Sequence, residues 1–117
     1  MVPQNILMAL AELTLMLEKE LREQHLWHSK PPAAPALASP QPFCFDTLEF
    51  PQWLQWVYLP QLKTLIERGD YLPKESDIAE YAEQALETTP DADKLVMILH
   101  AIDEAFHDNA AHSPPLH

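Results

Sequence analysis

Apolar residues recur along this chain in four segments with the three-to-four-residue spacing of an amphipathic helix. The first segment covers residues 4–27, and its charged side includes the i, i+4 pair Glu18 and Arg22. Because that side is acidic rather than rich in lysine, we predict a helix that packs inside a domain, not one that lies on a membrane. Its apolar stripe is formed by Ile6, Leu10, Leu13, Leu17 and Leu21, with Leu7 and Met16 widening it.

The second segment, residues 50–68, is apolar nearly all round and contains Trp53 and Trp56. A strand is the alternative, since Trp, Val and Tyr are common in strands. Helical spacing continues through the segment, however, and Gly69 is a natural helix stop. Pro60 removes one backbone hydrogen bond, so we predict a kink between Trp56 and Pro60. We expect the other three helices to enclose this one.

Two starting points for this second helix remain open. Asp46 and Glu49 have the spacing of a capping box, whereas Pro51 suits the first helical position. The pattern does not decide between them. Phe43 and Phe45, just upstream, are expected to fold back onto the tryptophan helix.

The third helix is predicted at about residues 78–87, with Ser76 or Asp77 as its cap. The fourth is predicted to start with Thr89 as N-cap and Pro90 at the first helical position. The apolar stripes of these two helices are Ile78, Tyr81, Ala82, Ala85 and Leu86, and then Leu95, Ile98, Leu99, Ile102 and Phe106.

The four segments predict an all-α, single-domain four-helix bundle, whose second, third and fourth helices are antiparallel neighbours because their connections are short. The bundle is expected to span residues 1–108, with a Pro/Ala-rich connector at 29–42 and a flexible tail at 109–117. Pro32 and Pro35 match a P-x-x-P ligand pattern, but any proline-rich connector produces that match.

Charge narrows the choice of partners. The chain has 7 Lys and Arg against 18 Asp and Glu, a net charge of -11, so direct binding to nucleic acid is disfavoured and a basic protein partner is compatible. Cys44 is the only cysteine, which excludes an internal disulfide and fits a reducing cytoplasm. Glu12 interrupts the first apolar run, so we expect neither a signal peptide nor a membrane span.

The side chains capable of chemistry do not form a recognisable site. His100, Asp103, Glu104 and His107 share one side of the fourth helix, and Glu104-x-x-His107 has the spacing of a di-iron site. The required second pair is missing, so we interpret this side as a solvated face. Cys44 is expected to be a small buried hydrophobic residue. With a single glycine, no phosphate loop is possible, and we predict no catalytic, metal or cofactor site. The histidines His25 and His28 are read as surface residues.

The tryptophans have two interpretations. On an α-helix Trp53, Trp56 and Val57 share one face, and Leu54 and Tyr58 form a second. Core packing is the favoured interpretation, because each indole buries a large area. The alternative is an exposed groove for a partner helix, since tryptophan is common among interface anchors. The candidate partner-binding residues are Phe50, Trp53, Trp56 and Tyr58.

The order of these residues resembles that of a known family. The chain resembles the family of small bacterial YqcC-like proteins. The resemblance covers about residues 25–106 and is densest at the tryptophan helix. The matching residues are Gln41-Pro42-Phe43, Asp46-Thr47, Trp53-Leu54-Gln55-Trp56, Pro60, Leu72-Pro73, Tyr81 and Ala85-Leu86.

The resemblance implies an all-helical, cytoplasmic protein with no established catalytic residues. Members often lie beside genes for a tRNA pseudouridine synthase, which implies an accessory role in tRNA modification. Our leading hypothesis is a non-catalytic protein-interaction module. The alternative is a small-molecule- or metal-binding bundle that uses His100, Glu104 and His107 or a pocket beside the indoles. Homo-oligomerisation through an apolar face is a third possibility.

Overall fold

The structure, a computed structural model, describes residues 1–73 and 76–112, with side chains up to residue 110. The described residues form helices without a strand, which confirms the all-α prediction. None of these helices is both long and apolar enough to cross a membrane. The helices are α1 (Gln4–Glu23), α2 (Ala34–Leu37), α3 (residues 50–68, made of Phe50–Trp53, Leu54–Tyr58 and Leu59–Arg68), α4 (Ile78–Ala85) and α5 (Asp93–His112).

Three long helices share the core. Helix α1 packs against α5 and against the last part of α3, and α4 packs against α5. Helix α3 is therefore not a central helix enclosed by the other three, as we had expected, because α1 and α5 each contribute as many fully buried side chains as α3 does. The largest fully buried residues are Leu10, Leu17 and Leu21 on α1, Leu54, Leu59 and Leu62 on α3, and Leu95, Leu99 and Ile102 on α5.

Side-chain pairs show the direction in which α4 and α5 run. His100 contacts Glu83, and further along α5 Asp103 binds the backbone of Ala79. Residue numbers thus rise on one helix as they fall on the other, so α4 and α5 are antiparallel. Helix α4 also meets α3, through the rings of Tyr81 and Phe50.

Helix α1 ends at Glu23, four residues before the predicted end at Trp27. His25 has a φ of 59°, and the backbone bonds Leu26 N–H to Leu21 O and His25 N–H to Arg22 O form a Schellman motif around it. The left-handed residue in this motif is usually glycine. Here the sequence contains histidine, which is why the stop was not visible in the residue pattern.

Closely spaced prolines favour an extended path, but the connector contains a short helix, α2, with Pro35 in its first turn, and a 3-10 turn begins at Pro42. Gln55 of α3 holds the start of the connector: its Oε1 accepts from His28 N–H at 2.8 Å, and its Nε2 donates to His28 O at 2.7 Å. Phe43 folds back onto α3, as predicted, but Phe45 is 57% exposed and does not.

Helix α3 begins at Phe50, so the later of the two predicted starting points, near Pro51, is the correct one. Glu49 precedes the helix, and its backbone N–H donates to Gln52 Oε1 at 2.9 Å. Asp46 instead accepts a hydrogen bond from Ser39 Oγ at 2.5 Å. Pro51 therefore lies in the first turn, where its missing N–H costs no helical hydrogen bond.

Helix α3 changes its hydrogen bonding before Pro60. Over Leu54–Tyr58 the backbone is π-helical, and Leu59 N–H donates to Leu54 O, five residues back. Pro60 has no N–H to offer the preceding turn, so the α-helical pattern is interrupted next to it. The interruption overlaps the region between Trp56 and Pro60 where a kink was predicted, but it begins two residues earlier, at Leu54.

The predicted boundaries of the last helix need two corrections. The chain turns at Asp91, whose φ is 56°, and α5 begins at Asp93 rather than Pro90. At its other end α5 continues to His112, and Asn109 is buried. Residues 109–112 are thus helical and not part of a flexible tail, while residues 113–117 of that predicted tail lie outside the described residues.

Candidate functional site

The predicted partner-binding aromatic residues lie mainly in the interior. Trp53 stacks on Phe50 with ring centroids 5.9 Å apart and on Tyr58 at 5.3 Å. Phe43 meets the edge of Trp53 at 4.9 Å and stacks on Tyr81 at 4.0 Å. We call these five rings the aromatic cluster. Because Phe50 is 7% exposed and Tyr58 is 9% exposed, neither offers a surface to a partner, and their packing agrees with the core interpretation.

The π-helical turn decides which rings meet. An α-helix would place Trp53 beside Trp56 and Val57, as predicted, whereas here Trp53 stacks on Tyr58, five residues along. Trp56 is consequently outside the aromatic cluster and half-buried. Its indole Nε1 is enclosed and has no hydrogen-bond partner among the described residues. Of the four candidates, Trp56 is the least integrated into the core.

Asp103 corrects the interpretation of α5 as carrying a solvated face. Its side chain is buried, and its carboxylate accepts hydrogen bonds from Ser76 Oγ at 2.5 Å, Ile78 N–H at 3.3 Å and Ala79 N–H at 2.9 Å. Of the two predicted caps, Ser76 and Asp77, Asp77 occupies the N-cap position, but its side chain makes no capping bond. A residue of α5 therefore caps the N-terminus of α4, where a negative charge is also favoured by the helix dipole.

The hydroxyl of Tyr58 lies near this capping site. Burial raises the pKa of Tyr58 above its usual range, the negative charge of Asp103 raises it further, and Ser76 lowers it. The hydroxyl is enclosed, and its approach to the Ser76 side chain falls short of hydrogen-bond geometry. The phenol is thus held in its neutral form, which is a structural condition and not the activated state of a catalytic base.

The remaining polar residues of α5 make surface pairs. His100 Nε2 lies 2.7 Å from Glu83 Oε1, and His107 Nε2 lies 3.9 Å from Asp77 Oδ1, with all four side chains more than half exposed. Glu104 is also exposed. Within the described ranges no group of three or more histidine, cysteine or carboxylate side chains could hold a metal ion.

Cys44 and the two early histidines do not meet a nucleophile, base or metal-ligating side chain among the described residues. Cys44 is buried, as predicted for a small hydrophobic residue, and its Sγ donates to Leu37 O at 3.8 Å. His28 is exposed and is held through its backbone by Gln55. His25 is exposed and serves as the left-handed residue that ends α1.

A groove between α1 and α5 was not predicted from the sequence. It has a volume of about 450 Å³, and its lining combines five apolar side chains with two lysines and two glutamates. Met16 was expected to widen the core stripe of α1, but it is half exposed and lines this groove together with Met97. The sequence signal that could have revealed this groove is the number of apolar residues on α1, which exceeds the number that one buried apolar stripe requires. We define the α1–α5 groove by its nine lining residues, Leu13, Met16, Lys19, Glu20, Glu23, Lys94, Met97, Ile98 and Ala101.

Known proteins resemble this chain along most of its length. An uncharacterized protein of Haemophilus influenzae is 36% identical over 93 residues, covering 80% of this chain and 88% of its own length. The protein YqcC of Escherichia coli is 36% identical over 96 residues, covering 81% and 88% respectively. The solution NMR structure of E. coli YqcC has a TM-score of 0.80 at 31% identity, covering 96% of this chain and 97% of that one.

A further relative is a much longer protein. The tRNA pseudouridine synthase C of Pectobacterium carotovorum is 40% identical over 58 residues, which is 50% of this chain but 15% of the synthase. The model of the DUF446 family, described as tRNA pseudouridine synthase C, matches residues 9–105. With this match and the full-length similarity to YqcC, the chain belongs to the DUF446 family of YqcC-like helical proteins.

Proposed function

We propose that this chain is a non-catalytic interaction module that binds a tRNA pseudouridine synthase in the cytoplasm and assists tRNA modification. One observation supports this function above all: a protein named tRNA pseudouridine synthase C carries a segment 40% identical to 58 residues of this chain. That segment is 15% of the synthase, so most of the synthase lies outside the similarity. A segment joined to an enzyme in one protein is expected to contact that enzyme when the two are separate chains.

The charge of the chain is consistent with such a partner. At -11 it is repelled by RNA phosphates but attracted to the basic surfaces that RNA-binding enzymes present. The polar interior of the described residues has structural roles, since Asp103 caps α4 and Gln55 holds the connector. Because these buried polar residues stabilise the fold, they favour a protein that binds a partner through its surface over a protein that contains an active site.

The test is binding between the full-length chain and the tRNA pseudouridine synthase C of the same organism. We expect a complex by calorimetry or light scattering whose affinity falls as salt rises, because acidic and basic surfaces attract each other less when screened. We also expect pseudouridine formation in tRNA to change when the chain is added. The chain with heat-denatured synthase is the control.

Two results would count against this function. Absence of a complex at both low and physiological salt would remove the synthase as partner. Pseudouridine formation by the chain alone, without added synthase, would show that the chain itself is catalytic.

A further inference from the structure

Of the seven large apolar side chains that are exposed among the described residues, three lie on α1 and one lies on α5. Met8, Leu15 and Met16 are each at least half exposed on α1, and Met97 is 68% exposed on α5. Met16 and Met97 line the α1–α5 groove, whose floor includes the partly buried Leu13 and the buried Ile98. Exposed methionines on both helices of one apolar groove indicate a surface that a partner covers.

The groove has the dimensions of a helix-binding site. Its α1 residues extend from Leu13 to Glu23, and ten helical residues rise about 15 Å, or nearly three turns. Methionine side chains are flexible and polarisable, so they fit the apolar face of a helix without requiring one fixed shape. A groove of this kind binds residues at i, i+3, i+4 and i+7 of an amphipathic helix.

Two charged groups in the groove lack ionic partners. Glu20 is 5% exposed, and its carboxylate accepts one hydrogen bond, from Gln24 Nε2 at 3.1 Å, with no described cation in ion-pair range. A buried carboxylate is costly unless a cation compensates it. Lys94 also forms no ion pair within the described residues, but it is exposed and stays hydrated, so it does not require one. By contrast, the nearby Lys19 and Glu23 are 3.9 Å apart and pair with each other.

We propose that the α1–α5 groove binds one amphipathic, basic helix of the synthase, whose apolar face covers Met16 and Met97 and whose cation pairs with Glu20. This inference rests on the proposed function and adds the surface that carries it. A second copy of this chain is a poorer occupant, because two bodies with a charge of -11 repel each other. The basic helix is attracted by the same charge.

The experiment compares binding of the full-length synthase to three forms of the chain. In the double variant Met16→Gln/Met97→Gln, we expect the Kd to rise at least about tenfold, because apolar anchors at the centre of the interface are lost. The matched control is Met8→Gln, which changes an exposed methionine of α1 outside the groove and should leave the Kd unchanged. Circular dichroism and urea unfolding check that each variant is folded.

A second variant tests the ion pair. Glu20→Gln keeps the size of the side chain and its ability to bond to Gln24, and we expect it to raise the Kd and reduce the salt dependence of binding. Unchanged salt dependence in folded Glu20→Gln would overturn the ion pair.

The possible results separate the two proposals. If the wild-type chain does not bind the synthase, both are overturned. If it binds and the double variant binds equally well, only the groove assignment is overturned. The assignment would also fail if the wild-type chain were a dimer that the double variant converts to monomer. A small molecule seen on the wild-type chain by native mass spectrometry, and lost from the double variant, would likewise overturn it.

Discussion

At the residue scale, buried polar groups are the ones that join distant parts of the chain. Gln55 holds the backbone of His28, 27 positions away, and Asp103 holds the first residues of α4 across the α4–α5 interface. Each replaces a hydrogen bond that water would otherwise make, and removing Asp103 would leave the buried N–H groups of Ile78 and Ala79 without an acceptor, whereas the bonds to His28 are only partly buried. The free energy of unfolding should therefore respond strongly to Asp103.

We expect Asp103→Ala to lower the free energy of unfolding by about 2–3 kcal/mol, because α4 loses its cap and two buried N–H groups lose their acceptor. Urea denaturation followed by circular dichroism measures the change. The matched control is Glu104→Ala, the next residue on α5, which is exposed and should change stability by less than about 0.5 kcal/mol. Equal effects of the two substitutions would contradict the capping role.

The raised pKa of Tyr58 predicts a pH dependence at the alkaline end. Burial favours the neutral phenol in the folded state, so the folded pKa lies above the unfolded value of 10.0. Below pH 10.0 the phenol of Tyr58 is protonated in both states, so its contribution to the free energy of unfolding is fully present. As the pH rises beyond 10.0 this contribution is lost, because the unfolded chain releases the phenol proton more readily than the folded chain does.

We therefore expect the loss of stability above pH 10.0 to be smaller in Tyr58→Phe than in the wild-type chain, in urea unfolding measured across that range. Tyr71→Phe, which changes a 62% exposed tyrosine, is the control and should follow the wild type. Identical alkaline profiles for wild type and Tyr58→Phe would show that the burial of this hydroxyl has no such effect.

At the element scale, helix ends and the π-helical turn shape the bundle. Helix α1 ends in a Schellman motif at His25, and α3 ends at Gly69, whose φ is 65° and whose N–H donates to Leu65 O. Gly69 O in turn accepts from Val2 N–H, tying the end of α3 to the start of α1. Within α3 the wide π-helical turn brings Tyr58 beneath Trp53 and so builds the aromatic cluster.

The two helix ends predict opposite effects of substitution. His25→Gly should raise the free energy of unfolding by about 1 kcal/mol, because glycine adopts positive φ without strain. Gly69→Ala should lower it by about 1–2 kcal/mol, because φ is positive and the new Cβ would lie 3.3 Å from Leu7 Cδ1. Urea midpoints measure both.

The control for His25→Gly is Glu23→Gly in the last turn of α1, which should lower the free energy of unfolding by about 1 kcal/mol. If His25→Gly were destabilising to the same extent, the left-handed conformation at this position would be wrong.

At the scale of the whole molecule, charge and shape act together. An excess of acidic residues surrounds a compact apolar core, and one apolar groove remains uncovered between α1 and α5. Charge brings a basic partner close at long range, while the groove supplies the apolar contact that holds it at short range. The proposed complex with the synthase uses both properties, and the groove and control variants separate their contributions.

The residue pattern alone determined the helical segments, the stop at Gly69, the burial of Cys44 and the acidic charge. The first three depend on residue type and on neighbours in the sequence, and the net charge is a count of acidic and basic residues. The tertiary structure decided the rest. In the residue pattern Asp103 falls on a polar face, but in the structure it caps α4, which lies beside it. The pattern places Trp53 next to Trp56, but the π-helical turn before Pro60 stacks Trp53 on Tyr58 instead. The α1–α5 groove exists only where two separate helices meet. Contacts between residues far apart in sequence depend on how the helices pack, and spacing along one helix carries no information about its neighbour.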